Sequence, residues 1–278
     1  PFGVTASVAD DKTEVTKWTY NTKIPSYGAT GWWDKSAYKE GMVLGDIWGL
    51  QFDRFLTEDD FNADGSLKAG LPDQTKVFPA GYQFAPGDVL YKDLDNNGEI
   101  VKQTNTNDKG DLSVIGNALP RLQFGLNLDA AWKGFDISMF FQGVAKRKLW
   151  AAGNQVLPGF TTGEPFYKGA EDYWTPENTD AFYPRPMDYK QSASGNYSVN
   201  DRYLLNMAYL RLKTFTVGYS LPKVWLSKFK VQGLRVYFTG ENLFTIDGVK
   251  PAIDPEIGIR TASGKSDQRN FGRSYPYQ

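Results

Sequence analysis

Between Leu122 and Trp132 the chain alternates with a period of two. Leu122, Phe124, Leu126, Leu128 and Ala130 fall on one side, and Gln123, Gly125, Asn127 and Asp129 on the other. Only an extended strand puts every second residue on one face, so this run is a strand with one apolar and one polar side. Lys133-Gly134 follows as a turn. Phe135, Ile137, Met139 and Phe141 then alternate against Asp136, Ser138, Phe140 and Gln142. Two such runs around a tight Gly turn predict a hairpin that pairs Leu122–Trp132 with Phe135–Phe141. The same reasoning pairs Tyr209–Leu221 with Leu234–Leu243 beyond Pro222. It also predicts a third hairpin, Phe2–Val4 with Val15–Trp18, around Asp10-Asp11-Lys12.

The connections are lopsided. The turns are short, whereas residues 21–118, 144–208 and the stretch beyond Asp247 read as long loops. Compact domains join their elements by ~4–6 residues, so such loops argue against a simple sandwich. Tilted strands of ~10 residues, with short turns at one end and long loops at the other, describe an antiparallel transmembrane β-barrel. There the apolar face meets lipid, the polar face lines the lumen, and aromatic residues girdle both interfaces. A 15% aromatic content with a mean hydropathy of -0.48 fits that division. No apolar run approaches the ~20 residues of a membrane-crossing helix. A large secreted sandwich with long loops alternates in the same way, and the pattern alone leaves both architectures open. If Val15–Trp18 leaves a short-turn end, zero or two spanning strands lie between it and Leu122. Residues 43–55 then either pair with another strand or belong to a folded long-side loop. The chain opens within a strand, with no basic stretch followed by an apolar one. No signal peptide is therefore expected, and the chain reads as a piece of something longer.

Composition removes most chemistry. There is no Cys and no His, which excludes disulfides, thiolate sites, imidazole bases and the Ser-His-Asp triad. Thirty-one basic against 32 acidic residues gives no reason to expect a nucleic-acid binder. No phosphate-binding Gly loop is present. The acids Glu58-Asp59-Asp60, Glu171-Asp172 and Asp254 with Glu256 show no spacing that selects a glycosidase pair, and read as solvated loop acids.

One segment has metal-ligand spacing. Asp93-Leu94-Asp95-Asn96-Asn97-Gly98-Glu99 places oxygen ligands at positions 1, 3 and 5 and Gly at 6, the opening of a calcium loop. Position 12 is Thr104 rather than a bidentate Glu. The expected Ca²⁺ ligands are therefore Asp93, Asp95 and Asn97, with Glu99 and the later Asp108 closing the site. A solvated Asx turn is the alternative. Asn62-Ala63-Asp64-Gly65-Ser66 is a weaker version, read as a turn. In Trp174-Thr175-Pro176-Glu177-Asn178-Thr179 the indole is either a sugar platform or the packing lid of a short helical turn. Thr175 would be the N-cap of that turn and Pro176 its first residue, and this second reading is favoured. Trp32-Trp33 and Trp48 read as loop packing or interfacial anchors. Arg211 and Lys213 read as lumen-facing or rim charges.

Several strings taken in order resemble the SusC/RagA family of TonB-dependent outer-membrane transporters. They are Gly87-Asp88 to Gly98, Ile115-Gly116 with Pro120, Lys133-Gly134-Phe135-Asp136 ending in Phe140-Phe141-Gln142-Gly143, and Trp174 to Thr179 with Tyr183-Pro184-Arg185. Tyr209-Leu210-Arg211-Leu212-Lys213 continuing to Val217–Pro222, and Gly240-Glu241-Asn242-Leu243-Phe244-Thr245, complete the series. The resemblance covers nearly the whole chain. It implies an all-β fold, the C-terminal portion of a large plugged barrel spanning residues 1–278, with roughly six to eight strands of a ~22-stranded type. The plug, the TonB-box segment and the strand that closes the barrel after Tyr275-Pro276 are expected outside this chain. The segment alone should be unstable, with open edges and a bare lipid face. The resemblance further implies import of oligosaccharides or peptides across the outer membrane of a Gram-negative bacterium. A SusD-like surface lipoprotein would act as lid and the TonB complex would act through the plug, with no organic cofactor and no enzymatic step. A secreted all-β glycan-binding or glycoside-hydrolase domain is the reading from another class. Burial of the Leu122–Leu128 face between two sheets would favour it.

Overall fold

The computed structural model describes residues 1–19, 28–29, 40–102, 110–151, 156–160, 169–187, 195–228, 230–250 and 253–256. In chain order its strands are β1 (Phe2–Ala9), β2 (Gly28–Ala29), β3 (Asp46–Gly49), β4 (Phe52–Phe55), β5 (Val89–Tyr91), β6 (Ser113–Asn117), β7 (Arg121–Trp132), β8 (Phe135–Lys146), β9 (Lys148–Leu149), β10 (Leu205–Asn206), β11 (Tyr209–Ser220) and β12 (Arg235–Asp247). A short helix, α1 (Lys223–Ser227), lies between the last two. The chain divides into two compact units. A strand unit takes Pro1–Lys12, Pro120–Arg147 and Met207–Val249, and an insertion unit takes Thr13–Leu119, Lys148–Asn206 and Lys250–Gln278.

The strand unit is one antiparallel sheet in the order β1-β7-β8-β11-β12. Both expected pairings are present: Trp132 faces Phe135 across the β7–β8 turn, and Ser220 faces Arg235. Lys133 and Gly134 both take positive φ, 46° and 89°, as a two-residue type I′ hairpin turn requires. The remaining connections, and the stretch that follows β12, leave from the opposite end. There Ala9 lies beside Gln123, Lys146 beside Arg121, and Asp247 beside Tyr209.

The third hairpin does not form. β1 continues to Ala9 and pairs along its whole length with β7, from Phe2 opposite Ala130 to Ala9 opposite Gln123. Val15 instead exchanges backbone bonds with Gly41 and Met42 in the insertion unit. The cause is a non-local contact. Asp10, read as a turn residue, is gripped by the Arg121 guanidinium and accepts the Leu122 amide at 3.1 Å, which fixes β1 on β7. The Asp10 end is therefore a long-connection end, and the parity argument built on a short turn there fails. Leu122 also departs from expectation. Its φ of 53° interrupts the alternation at the start of β7.

The insertion unit has a hydrophobic core of its own around Trp48, Leu50, Val89, Tyr91, Ile100 and Trp174. Residues 43–55 supply β3, which pairs with β6, and β4, which pairs with β5. β9 and β10 pair as a two-residue ladder. The long connections are therefore not coreless loops: apolar residues from distant segments converge here as in any small domain.

Candidate functional site

Residues that face each other in an antiparallel ladder share a face, so the registers sort the strand unit into two surfaces. The apolar surface is built in rows across the five strands. Val4, Leu128, Met139, Phe215 and Gly240 form a middle row, flanked by Ala6, Leu126, Phe141, Leu212 and Phe244. Toward the short-turn end come Phe2, Ala130, Ile137, Val217 and Phe238, and then Trp132, Phe135, Tyr219 and Val236. The eight steps from Phe124 to Trp132 span ~27 Å along the strand, or ~20 Å of depth at the usual tilt, against an apolar band of ~25 Å. These side chains are not enclosed between two sheets: Leu212 is the one buried residue of the named rows, Leu122, Phe124, Leu126, Leu128 and Met139 are half-buried, and Phe2 on the edge is 88% exposed. The sandwich architecture is thereby excluded, and the sheet is an antiparallel transmembrane barrel segment.

The opposite surface is polar. Asp129, Ser138, Thr216 and Thr239 make one row, and Thr5, Asn127, Phe140, Thr214 and Glu241 the next. Arg211 lies on this side, and its Nε donates to Thr245 at 2.7 Å. Lys213 sits where the registers shift: it is the extra residue of β11 against β8, whereas against β12 the extra residue lies on β12, where Asn242 takes a φ of 52°. Near the short-turn end an Arg235–Asp136 ion pair spans from β12 to β8. It passes over β11 at Gly218, where a Cβ would lie 2.5 Å from the guanidinium. Arg235 also covers the Tyr237 ring.

In the insertion unit the strings Gly87-Asp88 and Trp174–Arg185 form one structure. Asp88 is fully buried and accepts from Tyr82 Oη at 2.9 Å, Ala85 N at 2.9 Å, Arg185 Nε at 2.8 Å and Asn196 Nδ2 at 2.9 Å. Burial, and then the Asp88 charge, push the Tyr82 hydroxyl well up, so it stays a donor. Trp174 packs on Gly87, whose φ is +89° and whose added Cβ would meet the indole at 2.5 Å. The indole is thus a packing residue, as favoured above, but the short helix is not there. Residues 175–178 form a tight turn closed by the Thr175–Asn178 backbone bonds, with the Thr175 hydroxyl accepting the Asn178 amide at 3.1 Å. Trp48 is core, while Trp32 and Trp33 lie outside the described residues. Asn62–Ser66 is a closed Asx turn, with Asp64 accepting both the amide and the hydroxyl of Ser66.

The predicted calcium loop is brought together in part. Asp93 accepts the Gly98 amide at 2.8 Å and Asp95 the Asn97 amide at 3.1 Å. Carboxylate oxygens of Asp93, Asp95 and Asp111 all lie within 4.8 Å of one another. Asp111 was not foreseen: eighteen residues beyond Asp93, no local spacing marks it. It accepts Leu94 N at 2.7 Å and Val101 N at 2.8 Å. Burial pushes its carboxyl up, those amides pull it down, and the Asp95 and Asp93 charges push it up again. Glu99 turns away to pair with Lys76, and Asn97 Oδ1 accepts the Glu99 amide at 2.8 Å. Asp108 lies outside the described residues.

Among the described residues no helix is long and apolar enough to cross a membrane, which says nothing about crossing by strands. No protein-family model matches the chain. It is 29% identical over 243 residues to TonB-dependent receptor P3 of Formosa agariphila, covering 85% of this chain and 21% of that protein. It is 34% identical over 188 residues to TonB-dependent receptor P26 of the same organism, covering 66% of this chain and 18% of that one. The chain thus spans about a fifth of the length of these relatives. Among solved structures, the RagAB peptide transporter superposes with a TM-score of 0.60 at 19% identity, over 92% of this chain and 24% of that one. The open-open state of the RagAB peptide importer superposes with a TM-score of 0.51 at 18% identity, over 92% and 24%. In sequence the chain is similar to these TonB-dependent receptors, and in fold to about a quarter of the RagAB transporter, with SusC/RagA-like motifs in order along it.

Proposed function

We propose that this chain is the C-terminal barrel portion of a TonB-dependent importer that carries oligosaccharides or peptides across a Gram-negative outer membrane. The observation that carries the reading is the two-faced sheet: an apolar wall for lipid, a polar wall for a lumen, and every long insertion leaving from one end. In this family's arrangement that end is extracellular, so the insertion unit would meet a SusD-like lipoprotein lid. TonB would act through a plug that this segment surrounds. The polar wall offers Arg, Asp, Asn, Thr and Tyr side chains that bind and orient a solute, and the protein performs no covalent step. The test replaces residues 148–206 of the full-length receptor by a short Gly-Ser link. Co-purification of the surface lipoprotein and TonB-dependent uptake of labelled peptide or oligosaccharide should both be lost. Undiminished uptake would overturn the reading.

The convergence of Asp93, Asp95 and Asp111 supports a second, local proposal, that they hold a Ca²⁺ ion. Hard oxygen donors suit that cation, and extracellular modules bind it at ~10⁻⁴–10⁻³ M. Calcium at about ten times Kd should stabilise the insertion unit by about 1.4 kcal/mol relative to chelated buffer. Asp111→Asn should abolish the gain, and equal melting temperatures with and without calcium in the parent would refute it.

A further inference from the structure

The connection from β11 to β12 is built unlike the two-residue turn between β7 and β8. Residues 221–234 carry Lys223, Lys228 and Lys230 and no acid, in a chain whose net charge is -1. α1 buries Leu226 and leaves Val224 74% and Trp225 60% exposed, with Val231 and Leu234 also exposed. Lys228 stands four residues from Val224, on the same side of the turn. The segment is closed by its own bonds, Leu221 N to Leu234 O at 2.9 Å and Val231 N to Leu226 O at 3.2 Å. It leaves the sheet at the end where the apolar surface finishes in Trp132, Phe135, Tyr219 and Val236. The Phe135 and Tyr219 rings meet there with centroids 4.4 Å apart and planes tilted by 38°, and Lys133 lies over the Trp132 ring.

We infer that this connection is a membrane-interface anchor for the leaflet on the short-turn side. Trp225 and Val224 sit at the headgroup–acyl boundary, while Lys223, Lys228 and Lys230 bind anionic phospholipid headgroups. An exposed indole with an aliphatic neighbour and a ring of lysines is the composition of a segment that lies in the interface plane. The aromatic row at the end of the sheet is continuous with it, as an interfacial belt is. The three positive charges, with none opposing, select an anionic surface over a zwitterionic one by roughly fivefold per lysine. The inference rests on the apolar surface facing lipid, so the experiment reads both.

This chain contains no cysteine, so labels enter it selectively. The full-length receptor, with any cysteines elsewhere replaced, is spin-labelled at Val224→Cys or at Met139→Cys. It is reconstituted in vesicles of phosphatidylcholine alone or mixed with phosphatidylglycerol, and immersion depth is read from oxygen and nickel-chelate accessibility. The Val224 label should read headgroup depth and the Met139 label acyl-chain depth. Lys223→Gln, Lys228→Gln and Lys230→Gln together should raise the Val224 label's water accessibility in the anionic vesicles only, with Met139 unchanged as proof of insertion. Lys228→Gln alone is the milder version. A Val224 label in water, or shielded by protein from both water and lipid, while Met139 reads acyl chains, overturns the anchor and leaves the barrel standing. Both labels in water overturn the barrel reading itself. Depth at Val224 that ignores lipid charge and the lysines overturns the headgroup site.

Discussion

At the residue scale the insertion unit depends on a few positions where backbone shape and buried charge leave no alternative. Gly87 combines φ +89° with an indole where its Cβ would be. Gly87→Ala meets a left-handed penalty of ~1–2 kcal/mol and overpacking of ~1–3 kcal/mol. A loss of about 2–5 kcal/mol is expected, read by denaturant unfolding followed on tryptophan fluorescence. Asp60 shows a pH dependence of definite sign. The Arg54 guanidinium grips it at 2.6 and 2.7 Å, burial opposes, the Thr57 amide adds, and its carboxyl is held at about 2 against an ordinary 3.8. A group depressed in the folded state stabilises fully above its ordinary value and loses that contribution as pH falls through its folded one. Asp60→Asn should therefore lower the melting temperature near neutral pH. The gap from the parent should close between pH 3.8 and about 2. A gap that is constant across that window would refute the assignment.

At the element scale the decisive property is which surface a strand residue occupies. Leu128 and Asn127 are neighbours in sequence, on opposite surfaces in the middle of β7. Leu128→Arg sets a charge against lipid near mid-depth and should cost ~2–4 kcal/mol. Asn127→Arg, beside Thr5 and Phe140 on the polar wall, should cost ~0.5 kcal/mol or less. Urea unfolding of the full-length receptor in vesicles measures both, and equal costs would sink the two-surface assignment. The hairpins at Lys133-Gly134 and Pro222 were legible because alternation and turn chemistry are local. Asp10-Asp11-Lys12 carries the same local signal but closes no hairpin. What decides it is Arg121, more than a hundred residues away, closing on Asp10 and seating β1 against β7.

At the scale of the whole molecule, β1 and β12 are edge strands of an open sheet, and the apolar surface spans all five strands. Unpaired strand edges and a bare apolar face drive association. The isolated chain should run as polydisperse aggregates in detergent-free buffer and become dispersed in detergent, as light scattering after gel filtration will report. A monodisperse detergent-free monomer would contradict the barrel assignment.

The sequence by itself determined the strand character, the two surfaces and the long-short asymmetry of the connections. Period-two alternation and the Lys133-Gly134 turn act through bonds between near neighbours, and the motif strings lie in the linear order that pointed to the family. Only the tertiary structure decided that β1 pairs with β7, that the long connections share a core, and that Asp111 joins Asp93 and Asp95. It alone seated the Trp174 indole on Gly87 and sent Glu99 to Lys76. Each of these is a contact between residues far apart in the chain, fixed by which segments collapse together rather than by any local preference. No window of neighbouring residues contains that information.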